Sequence, residues 1–431
     1  MKYWDEKFET MPPEEMEAFQ GRKLQETVQW VYERVPFYKR KLDEMGVNPS
    51  EIRSLADLPR LPFTVKTDLR DNYPFGLCAA PMKELVRIHA SSGTTGKPIT
   101  GPYTADDLNQ WAECMARLLY AQGVRSEDIC QNAYGMGLFT GGLGFYLGVE
   151  KLGACMLPTG SGMTERQIML MKDFGSTVLL STPTYALTIA EKAEQMGIDL
   201  RTMSLRVGSF GAEPWTVKMR EEIEARMGIA AHEAYGLTEM MGPGVGFSCE
   251  ARQLHLNEDH TYPEIVDPST LEPMPLGEKG ELVFTALQRR AMPLLRYRTR
   301  DITSLQRQTC ACGRTLVTMD KILGRSDDML IISGVNVFPS QVESVIMEFA
   351  ELEPQYQIRV TKKGYLDAIK VEVEAKAEVY GQGKEGLLDL GKRVSARIHG
   401  VIGINAPVQV VPLGSIARSE GKAKRVIDER S

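Results

Sequence analysis

The chain has 431 residues, of which 43% are hydrophobic and 25% are charged, and its formal net charge is -6. This length exceeds what a single hydrophobic core usually serves, so two or more domains are expected. The composition is typical of a globular protein and argues against a disordered chain, and the negative charge argues against a nucleic-acid partner.

The N-terminal twenty residues are acidic and lack an apolar stretch followed by a small-residue cleavage site, so a cytoplasmic location is expected. One uncharged stretch, 129–149, reaches membrane-spanning length. Its six glycines make it too polar for a span and favour a loop that lines a ligand cavity. No membrane partner is therefore expected. Seven cysteines in a chain of this kind favour reduced thiols over a disulfide framework.

The predicted elements begin with helical stretches such as 14–32, broken by proline turns up to about residue 81, which indicate a wrapping helical layer. From residue 87 onward, short apolar runs alternate with amphipathic helices, and this alternation predicts a mainly parallel α/β sheet. Thr104 is expected to cap a helix that ends near Gln122. Further strands are predicted at 177–180 and 205–210, and further helices from Thr164 and over 215–227.

Between residues 277 and 306 strands and loops predominate, and after Gly324 the pattern changes to a small α+β unit. Its predicted elements are a helix over 340–349, strands near 357–360 and 368–374, a helix over 386–398 and a strand over 408–411. We therefore predict an α/β protein with two domains, residues 1–324 and residues 325–431.

A loop rich in glycine and hydroxyl side chains follows an apolar run that ends at Ile88. Such a loop can wrap phosphate oxygens with its amide and hydroxyl donors. It is not a Walker A loop, because only two residues separate its glycines. By itself this pattern is equally typical of an ordinary surface turn. The loop consists of Ser91, Ser92, Gly93, Thr94, Thr95, Gly96, Lys97 and Pro98.

Four further motifs follow in order and change the interpretation of this loop. Together the five motifs resemble the core motifs of the acyl-adenylate-forming superfamily, which includes acyl-CoA synthetases, adenylation domains and luciferases. Finer features at 73–78, 137–144, 211–215 and 418–422 resemble the phenylacetate-CoA ligase family. The four motifs are Tyr235-Gly236-Leu237-Thr238-Glu239, Tyr297-Arg298-Thr299-Arg300-Asp301, Gly324-Arg325-Ser326-Asp327-Asp328 and Gly421-Lys422-Ala423-Lys424-Arg425.

The resemblance implies a large N-terminal adenylate-forming domain with layered α/β sheets and a small mobile C-terminal α+β domain. It also implies nucleotide-binding roles. Thr238 would hydrogen-bond the α-phosphate, and Glu239 would hold Mg²⁺, a hard cation that prefers oxygen ligands. Standing alone, such a motif is more typical of a turn with a solvated glutamate than of a nucleotide site. The remaining residues assigned to ATP or AMP are Tyr235 and Gly236 at adenine, Gly211, Ala212 and Glu213 at its edge, and Asp301 and Arg325 at the ribose.

Lys422 is the candidate catalytic lysine, because adenylation brings two anions together and a cation that bridges them lowers the barrier. Its surroundings are a basic C-terminal tail that is also typical of a solvated segment, and Lys424 is the alternative. Asp327 matches the family position of a hinge between two domain poses, although it is equally consistent with a surface acid.

Aromatic residues and glycines in the uncharged segment are the candidate acid pocket, since this mixture admits a flat ring. The same residues are also typical of a hydrophobic core. Met136 stands where the phenylacetate-specific members are expected to carry an aromatic residue. The predicted pocket consists of Tyr134, Met136, Phe139, Gly141 and Phe145.

Cys249, His255, Cys310 and Cys312 offer three thiolates and one imidazole, the ligand set of a tetrahedral structural zinc site. The spacing is unusual, His260 competes as the imidazole ligand, and four free side chains are the alternative.

The leading hypothesis is an acid:CoA ligase that uses ATP, Mg²⁺ and coenzyme A to activate an aromatic acid such as phenylacetate. Relatives suggest a homodimer. The alternatives are an adenylating enzyme that loads a carrier protein, an adenylyl transferase similar to coenzyme F390 synthetases, and a non-catalytic nucleotide-binding protein. Formation of a CoA thioester separates the first from the others.

Overall fold

A computed structural model describes residues 2–91, 98–326, 330–332, 335–363, 366–380, 383–419 and 423–430. The chain begins with helices, as predicted, because prolines start and separate the amphipathic stretches. Pro13 and Pro36 each occupy a first helical position, where the missing amide hydrogen has no intrahelical partner to lose. The first elements are α1 (Glu6–Glu9), α2 (Pro13–Arg34), α3 (Pro36–Glu44), α4 (Lys66–Asp71), β1 (Leu85–Ala90) and β2 (Thr100–Thr104), the two strands forming an antiparallel hairpin.

The predicted alternation of strands and helices forms the parallel half of a large sheet, in the order β4-β3-β5-β6-β7. Thr104 caps its first helix as predicted, since the Thr104 hydroxyl accepts a hydrogen bond from the Asp107 amide at 3.2 Å. The strands are β3 (Ile129–Asn132), β4 (Cys155–Leu157), β5 (Val178–Ser181), β6 (Val207–Gly211) and β7 (Ala230–Leu237). The helices are α5 (Ala105–Ala121), α6 (Thr140–Leu152), α7 (Thr164–Asp173), α8 (Pro183–Gln195) and α9 (Val217–Met227).

The sheet continues through antiparallel strands in the order β8-β9-β13-β12-β11-β10, and β14 pairs with β12. These strands carry the later motifs towards β7, so residues distant in sequence reach one edge of the sheet. The strands are β8 (Gly242–Ser248), β9 (Leu254–Leu256), β10 (Thr261–Val266), β11 (Lys279–Ala286), β12 (Tyr297–Gln306), β13 (Thr318–Met319) and β14 (Gly324–Arg325).

The uncharged stretch 129–149 differs from the prediction, because only residues 133–139 form a loop and the remainder belongs to β3 and α6. Glycines allow α6 to pack closely on α5. A Cβ added at Gly144 would stand 2.6 Å from Trp111, and one at Gly148 would stand 2.5 Å from Met115. Within the described parts of the chain, no helix combines the length and apolar content that crossing a membrane requires.

The C-terminal part forms a separate four-stranded sheet in the order β19-β18-β17-β20, with its own buried cluster. The two longer helices and the strands over 352–375 and 408–411 agree with the prediction, whereas the short helix over 377–380 and the short strands over 330–332, 335–337 and 426–428 were not predicted. The elements are β15 (Leu330–Ile332), β16 (Val335–Val337), α10 (Pro339–Ile346), β17 (Leu352–Lys363), β18 (Leu366–Ala375), α11 (Ala377–Tyr380), α12 (Lys384–Ile402), β19 (Val408–Val411) and β20 (Val426–Asp428).

The predicted boundary between residues 324 and 325 remains a prediction. Gly324 and Arg325 form β14, which hydrogen-bonds to β12 of the large sheet, so the chain is still tied to that sheet at this position. The C-terminal buried cluster begins with Ile332.

Candidate active site

Strands β6 and β7 are parallel neighbours and end at the same edge of the large sheet, where open α/β sheets bind ligands. Gly211 ends β6, and a Cβ added there would stand 2.2 Å from the carbonyl oxygen of Ala234 on β7. Ala212 follows with a φ of 73°, a left-handed conformation that is strained for alanine and frequent at functional sites. The Glu213 carboxylate then accepts a hydrogen bond of 2.8 Å from the Thr184 amide at the start of α8. The three predicted edge residues thus form one tight turn.

Three residues from different sequence motifs meet beside this turn. The Tyr235 hydroxyl on β7 donates a hydrogen bond of 2.7 Å to Asp301 on β12. The Arg325 guanidinium on β14 lies 3.5 Å from the other carboxylate oxygen of Asp301. Burial, followed by the nearby Asp301 carboxylate, raises the pKa of Tyr235 well above its usual range, which keeps this hydroxyl a donor. The residues assigned to adenine and ribose therefore lie together, and their individual roles remain predictions.

Thr238 and Glu239 follow β7 directly, and the Thr238 side chain lies at the start of α6. The Thr238 hydroxyl oxygen lies 3.3 Å from the Thr140 hydroxyl oxygen. Glu239 is buried, and burial followed by the nearby Glu239 carboxylate raises the pKa of the Tyr297 hydroxyl well above its usual range. A buried carboxylate beside a hydroxyl is an oxygen-only donor set, which fits Mg²⁺.

Arg289 supports the turn that carries Thr238 and Glu239, and the sequence did not reveal it. One guanidinium nitrogen donates to the Glu239 carbonyl at 2.6 Å and also to the Met240 carbonyl. The other nitrogen reaches the Pro102 carbonyl of β2 at 3.4 Å. Backbone carbonyl oxygens accept a hydrogen bond from any donor that the fold brings near, so no sequence pattern predicts this role of Arg289.

Ser91 closes the base of the glycine-rich loop. The Ser91 amide donates to the Ile99 carbonyl at 2.9 Å, and the Ile99 amide donates to the Ser91 hydroxyl at 3.1 Å. The rest of the predicted phosphate loop lies outside the described residues: Ser92, Gly93, Thr94, Thr95, Gly96 and Lys97.

Lys422 and the predicted hinge residue Asp327 also lie outside the described residues. The residue after the lysine is described, and the Ala423 amide donates a hydrogen bond of 2.9 Å to the Glu213 carboxylate. The chain next to Lys422 therefore lies at the turn after β6. Lys424, the alternative, has an exposed side chain.

The predicted acid pocket divides into inner and outer residues. Tyr134 and Phe145 are buried and stacked, with ring centroids 5.1 Å apart and planes 11° apart. Gly141 faces the Tyr134 ring, since a Cβ there would stand 3.5 Å from it. Met136 and Phe139 are 37% and 46% exposed, so they lie at the outer end of the segment.

Cys249, His255, Cys310 and Cys312 come together as predicted, with their ligand atoms all within 4.8 Å of one another. The Cys249 and Cys310 sulfurs are 3.7 Å apart, and the Cys312 sulfur is 3.5 Å from His255 Nε2. His255 Nδ1 lies 3.3 Å from the Leu316 carbonyl, a contact that favours a proton on Nδ1 and leaves Nε2 as the ligand atom.

His260, the competing ligand, lies elsewhere. Its Nε2 is 3.4 Å from the Asp259 carboxylate, and burial lowers the pKa of this imidazole. His255 is therefore the imidazole of the cluster. The structure contains no disulfide among the seven cysteines, and their reduced state stays a prediction.

Comparison with known proteins identifies the family of this chain. The chain matches the family of AMP-binding enzymes over residues 14–288 and the AMP-binding enzyme C-terminal domain over residues 334–430. It is 49% identical over 437 residues to the phenylacetate-coenzyme A ligase of Thermus thermophilus, covering 98% of both chains. It is 49% identical over 426 residues to the phenylacetate-coenzyme A ligase of Escherichia coli, covering 98% of this chain and 97% of that one. The chain therefore belongs to the AMP-binding enzymes and, within them, to the phenylacetate-coenzyme A ligase family.

A solved structure also matches over the whole chain. The 2-hydroxyisobutyryl-CoA ligase in its postadenylation state, bound to R3-HIB-AMP, has a TM-score of 0.95 and 30% sequence identity, covering 100% of this chain and 93% of that chain. The same ligase with 2-HIB-AMP and CoA in its thioesterification state has a TM-score of 0.75. The predicted combination of a large α/β domain and a small C-terminal domain is thereby confirmed.

Proposed function

We propose that this protein joins an arylacetate, with phenylacetate as the first candidate, to coenzyme A through an acyl-AMP intermediate. AMP and pyrophosphate are the other products. The observation that carries the proposal is the hydrogen bond between Ala423 and Glu213, in a chain of this family. This bond holds Ala423, the residue after Lys422, at the turn that follows β6, beside the group formed by Tyr235, Asp301 and Arg325.

In the first half-reaction, an oxygen of the acid's carboxylate attacks the α-phosphorus of ATP. The bond from that phosphorus to the bridging oxygen breaks, and pyrophosphate leaves. Lys422 would place its cation between the two approaching anions, and Thr238 would donate to the α-phosphate. Mg²⁺ held by Glu239 would neutralise phosphate charge. Arg289 would keep Thr238 and Glu239 in position through its hydrogen bonds to the backbone of their turn.

In the second half-reaction, the sulfur of coenzyme A attacks the acyl carbonyl, and the bond from the carbonyl carbon to the AMP oxygen breaks. Lys422 is not needed for this step. We propose that the C-terminal domain pivots near Asp327 to admit the thiol.

The stacked pair Tyr134 and Phe145 supports an aromatic acid. The two rings stack on each other and would form an aromatic wall against which the ring of the acid could pack. Met136 lines the outer end, and its flexible thioether would adapt to the far side of the acid.

The Cys/His cluster supports a structural zinc ion. Zinc-sulfur bonds of about 2.3 Å in a tetrahedron place two sulfurs about 3.8 Å apart, and a nitrogen at about 2.0 Å lies about 3.5 Å from a sulfur. The observed separations of 3.7 Å for Cys249 and Cys310 and 3.5 Å for Cys312 and His255 agree with these values. The ion would join the ends of β8 and β12 without entering the chemistry.

Chelation of the metal, and separately Cys312→Ser, tests the zinc proposal. Both are expected to lower the thermal unfolding midpoint, and elemental analysis is expected to find one zinc ion per parent chain and less in the variant. Cys155→Ser is the matched control, because Cys155 is an exposed thiol outside the cluster. A parent protein that contains no zinc and melts unchanged with chelator would refute the proposal.

A homodimer, which rests on the resemblance alone, and a cytoplasmic location, which rests on the N-terminal composition, complete the proposal. Light scattering coupled to gel filtration measures the assembly, and a mass of one chain would refute the dimer.

The reaction is tested by measuring pyrophosphate release with ATP and Mg²⁺ over a panel of aromatic and aliphatic acids, with and without coenzyme A. We expect release with arylacetates and a CoA thioester as the product. Release without a thioester would indicate delivery to a carrier protein or another adenylyl acceptor. No release with any acid would refute the ligase and leave a nucleotide-binding protein.

A further inference from the structure

An arginine of the C-terminal domain contacts α8 of the large domain. Arg418 lies in the loop between β19 and β20, four residues before Lys422. Its Nε and Nη2 atoms each donate to Glu191 of α8 at 2.9 Å. This two-pronged contact holds a planar guanidinium against a carboxylate, the strongest arrangement for such a pair.

The same guanidinium also contacts its own domain. Arg418 donates from Nη1 and Nη2 to the two carboxylate oxygens of Glu374 on β18, both at 2.8 Å. Glu374 is fully buried and accepts a third hydrogen bond from the Ile416 amide at 2.7 Å. The pair of Arg418 and Glu374 therefore belongs to the C-terminal domain and moves with it.

Glu191 is the only member of this group of three that belongs to the large domain. If the C-terminal domain turns, Arg418 keeps Glu374 and loses Glu191. Losing the contact with Glu191 costs little free energy, because the side chains of Arg418 and Glu191 are 20% and 18% exposed and are already partly hydrated. A buried pair broken in the same way would leave an uncompensated charge.

The contact between Arg418 and Glu191 lies close in sequence to the candidate lysine, Lys422. Residues 420–422 lie outside the described residues, but the chain is attached to the large domain on both sides of them. Arg418 contacts Glu191 on one side, and the Ala423 amide contacts Glu213 on the other. Glu213 is itself attached to α8 through Thr184, so one helix supports both attachments.

We infer that Glu191 is a positioning residue that holds the C-terminal domain in the adenylate-forming pose by binding Arg418, and that this contact breaks before thioester formation. The inference rests on the proposed two-step function. It agrees with the two TM-scores, since this chain resembles the relative's postadenylation state more closely than its thioesterification state. Glu191 does not touch substrate and acts only through the pose of the lysine segment.

Glu191→Gln tests the inference, because glutamine keeps the size and removes the charge. Loss of a partly hydrated, charge-assisted contact is expected to slow acyl-AMP formation about tenfold, equivalent to about 1.4 kcal/mol. The thioester step, started from synthetic phenylacetyl-AMP and coenzyme A in a single turnover, is expected to be as fast as in the parent or faster. This split separates positioning from damage to the fold, which would slow both steps.

The matched control is Glu165→Gln. Glu165 also forms an ion pair with α8, to Lys192 at 2.7 Å, but it is 68% exposed and lies on α7 of the large domain. Both half-reactions of this variant are expected to keep the parent's rates. Small-angle X-ray scattering of parent and Glu191→Gln provides a readout without turnover, in which the variant is expected to populate a second arrangement of the domains.

Equal slowing of both steps, or an unchanged adenylation rate together with an unchanged scattering curve, would overturn the inference while the ligase function stands. A parent protein that forms no acyl-AMP from any acid would instead overturn the proposed function. The scattering comparison would then still decide whether Glu191 holds the domains.

Discussion

Replacing Gly236 by alanine is expected to damage the nucleotide site through the backbone alone. Gly236 lies on β7 between Tyr235 and the turn that carries Thr238 and Glu239. A Cβ added to it would stand 2.0 Å from the carbonyl oxygen of Gly242 on β8, about 1.4 Å closer than the 3.4 Å lower limit of an ordinary contact. The added Cβ and the Gly242 carbonyl oxygen are both fixed to the backbone of paired strands, so no side chain can rotate to relieve the contact.

The two strands must then separate where Gly236 pairs with Pro243. Overpacking of this kind costs about 1–3 kcal/mol of folding free energy. A displacement of about 1 Å at catalytic groups lowers the rate on the order of 100-fold. We therefore expect Gly236→Ala to unfold at lower urea concentration and to form acyl-AMP on the order of 100-fold more slowly, measured by ATP–pyrophosphate exchange.

Gly400→Ala is the matched control, because the same methyl group meets nothing within 4 Å at that position of α12. Alanine is favoured over glycine in a helix by about 0.5–1 kcal/mol, so this variant is expected to be slightly more stable and fully active. If Gly236→Ala matched the parent in both stability and exchange rate, the steric argument would be refuted.

Three further results are expected. Lys422→Ala should lower acyl-AMP formation by at least about 100-fold with an unchanged circular dichroism spectrum, whereas Lys424→Ala should not, and the reverse result would transfer the role to Lys424. Burial lowers the pKa of His89 below 6.5, so the unfolded chain binds the proton first and stability should fall as the pH drops below about 6.5. Thermal midpoints from about pH 7.5 to about 5.5 should vary less in His89→Gln, and equal slopes would contradict this. Arg117→Met should cost about 3–5 kcal/mol in urea unfolding, because it leaves the buried Asp259 carboxylate, 1% exposed and 2.8 Å from Arg117, without its guanidinium partner. A loss below about 1 kcal/mol, the scale of a surface ion pair, would contradict that value.

The fold was predictable where local patterns decide it. Thr104 caps α5 through an interaction that spans three residues, and the strand over 408–411 was predicted with its observed bounds. The short strand β20 was not predicted, because its three residues are ordered by pairing with β17, which lies far away in sequence. Residues 140–149 were predicted to be a loop because glycine usually weakens a helix. Only the close packing of α6 against α5 shows why these positions carry glycine.

The candidate site was likewise predictable only in part. Motifs in register were enough to indicate Tyr235, Asp301 and Arg325, since each functional group is carried by its own residue type. The choice between His255 and His260 needed the structure, because both imidazoles are close in sequence to Cys249 and only one points at the thiols.

The sequence by itself determined the family and the two-part α/β architecture and predicted the chemistry of the nucleotide site, because residue types and their order carry that information locally. The tertiary structure alone decided which residues support that chemistry. Arg289 reaches the backbone of the Thr238 turn, and Glu191 reaches Arg418, across more than fifty and two hundred residues of chain respectively. Contacts of such range depend on how the strands and domains are placed, and no local pattern encodes them.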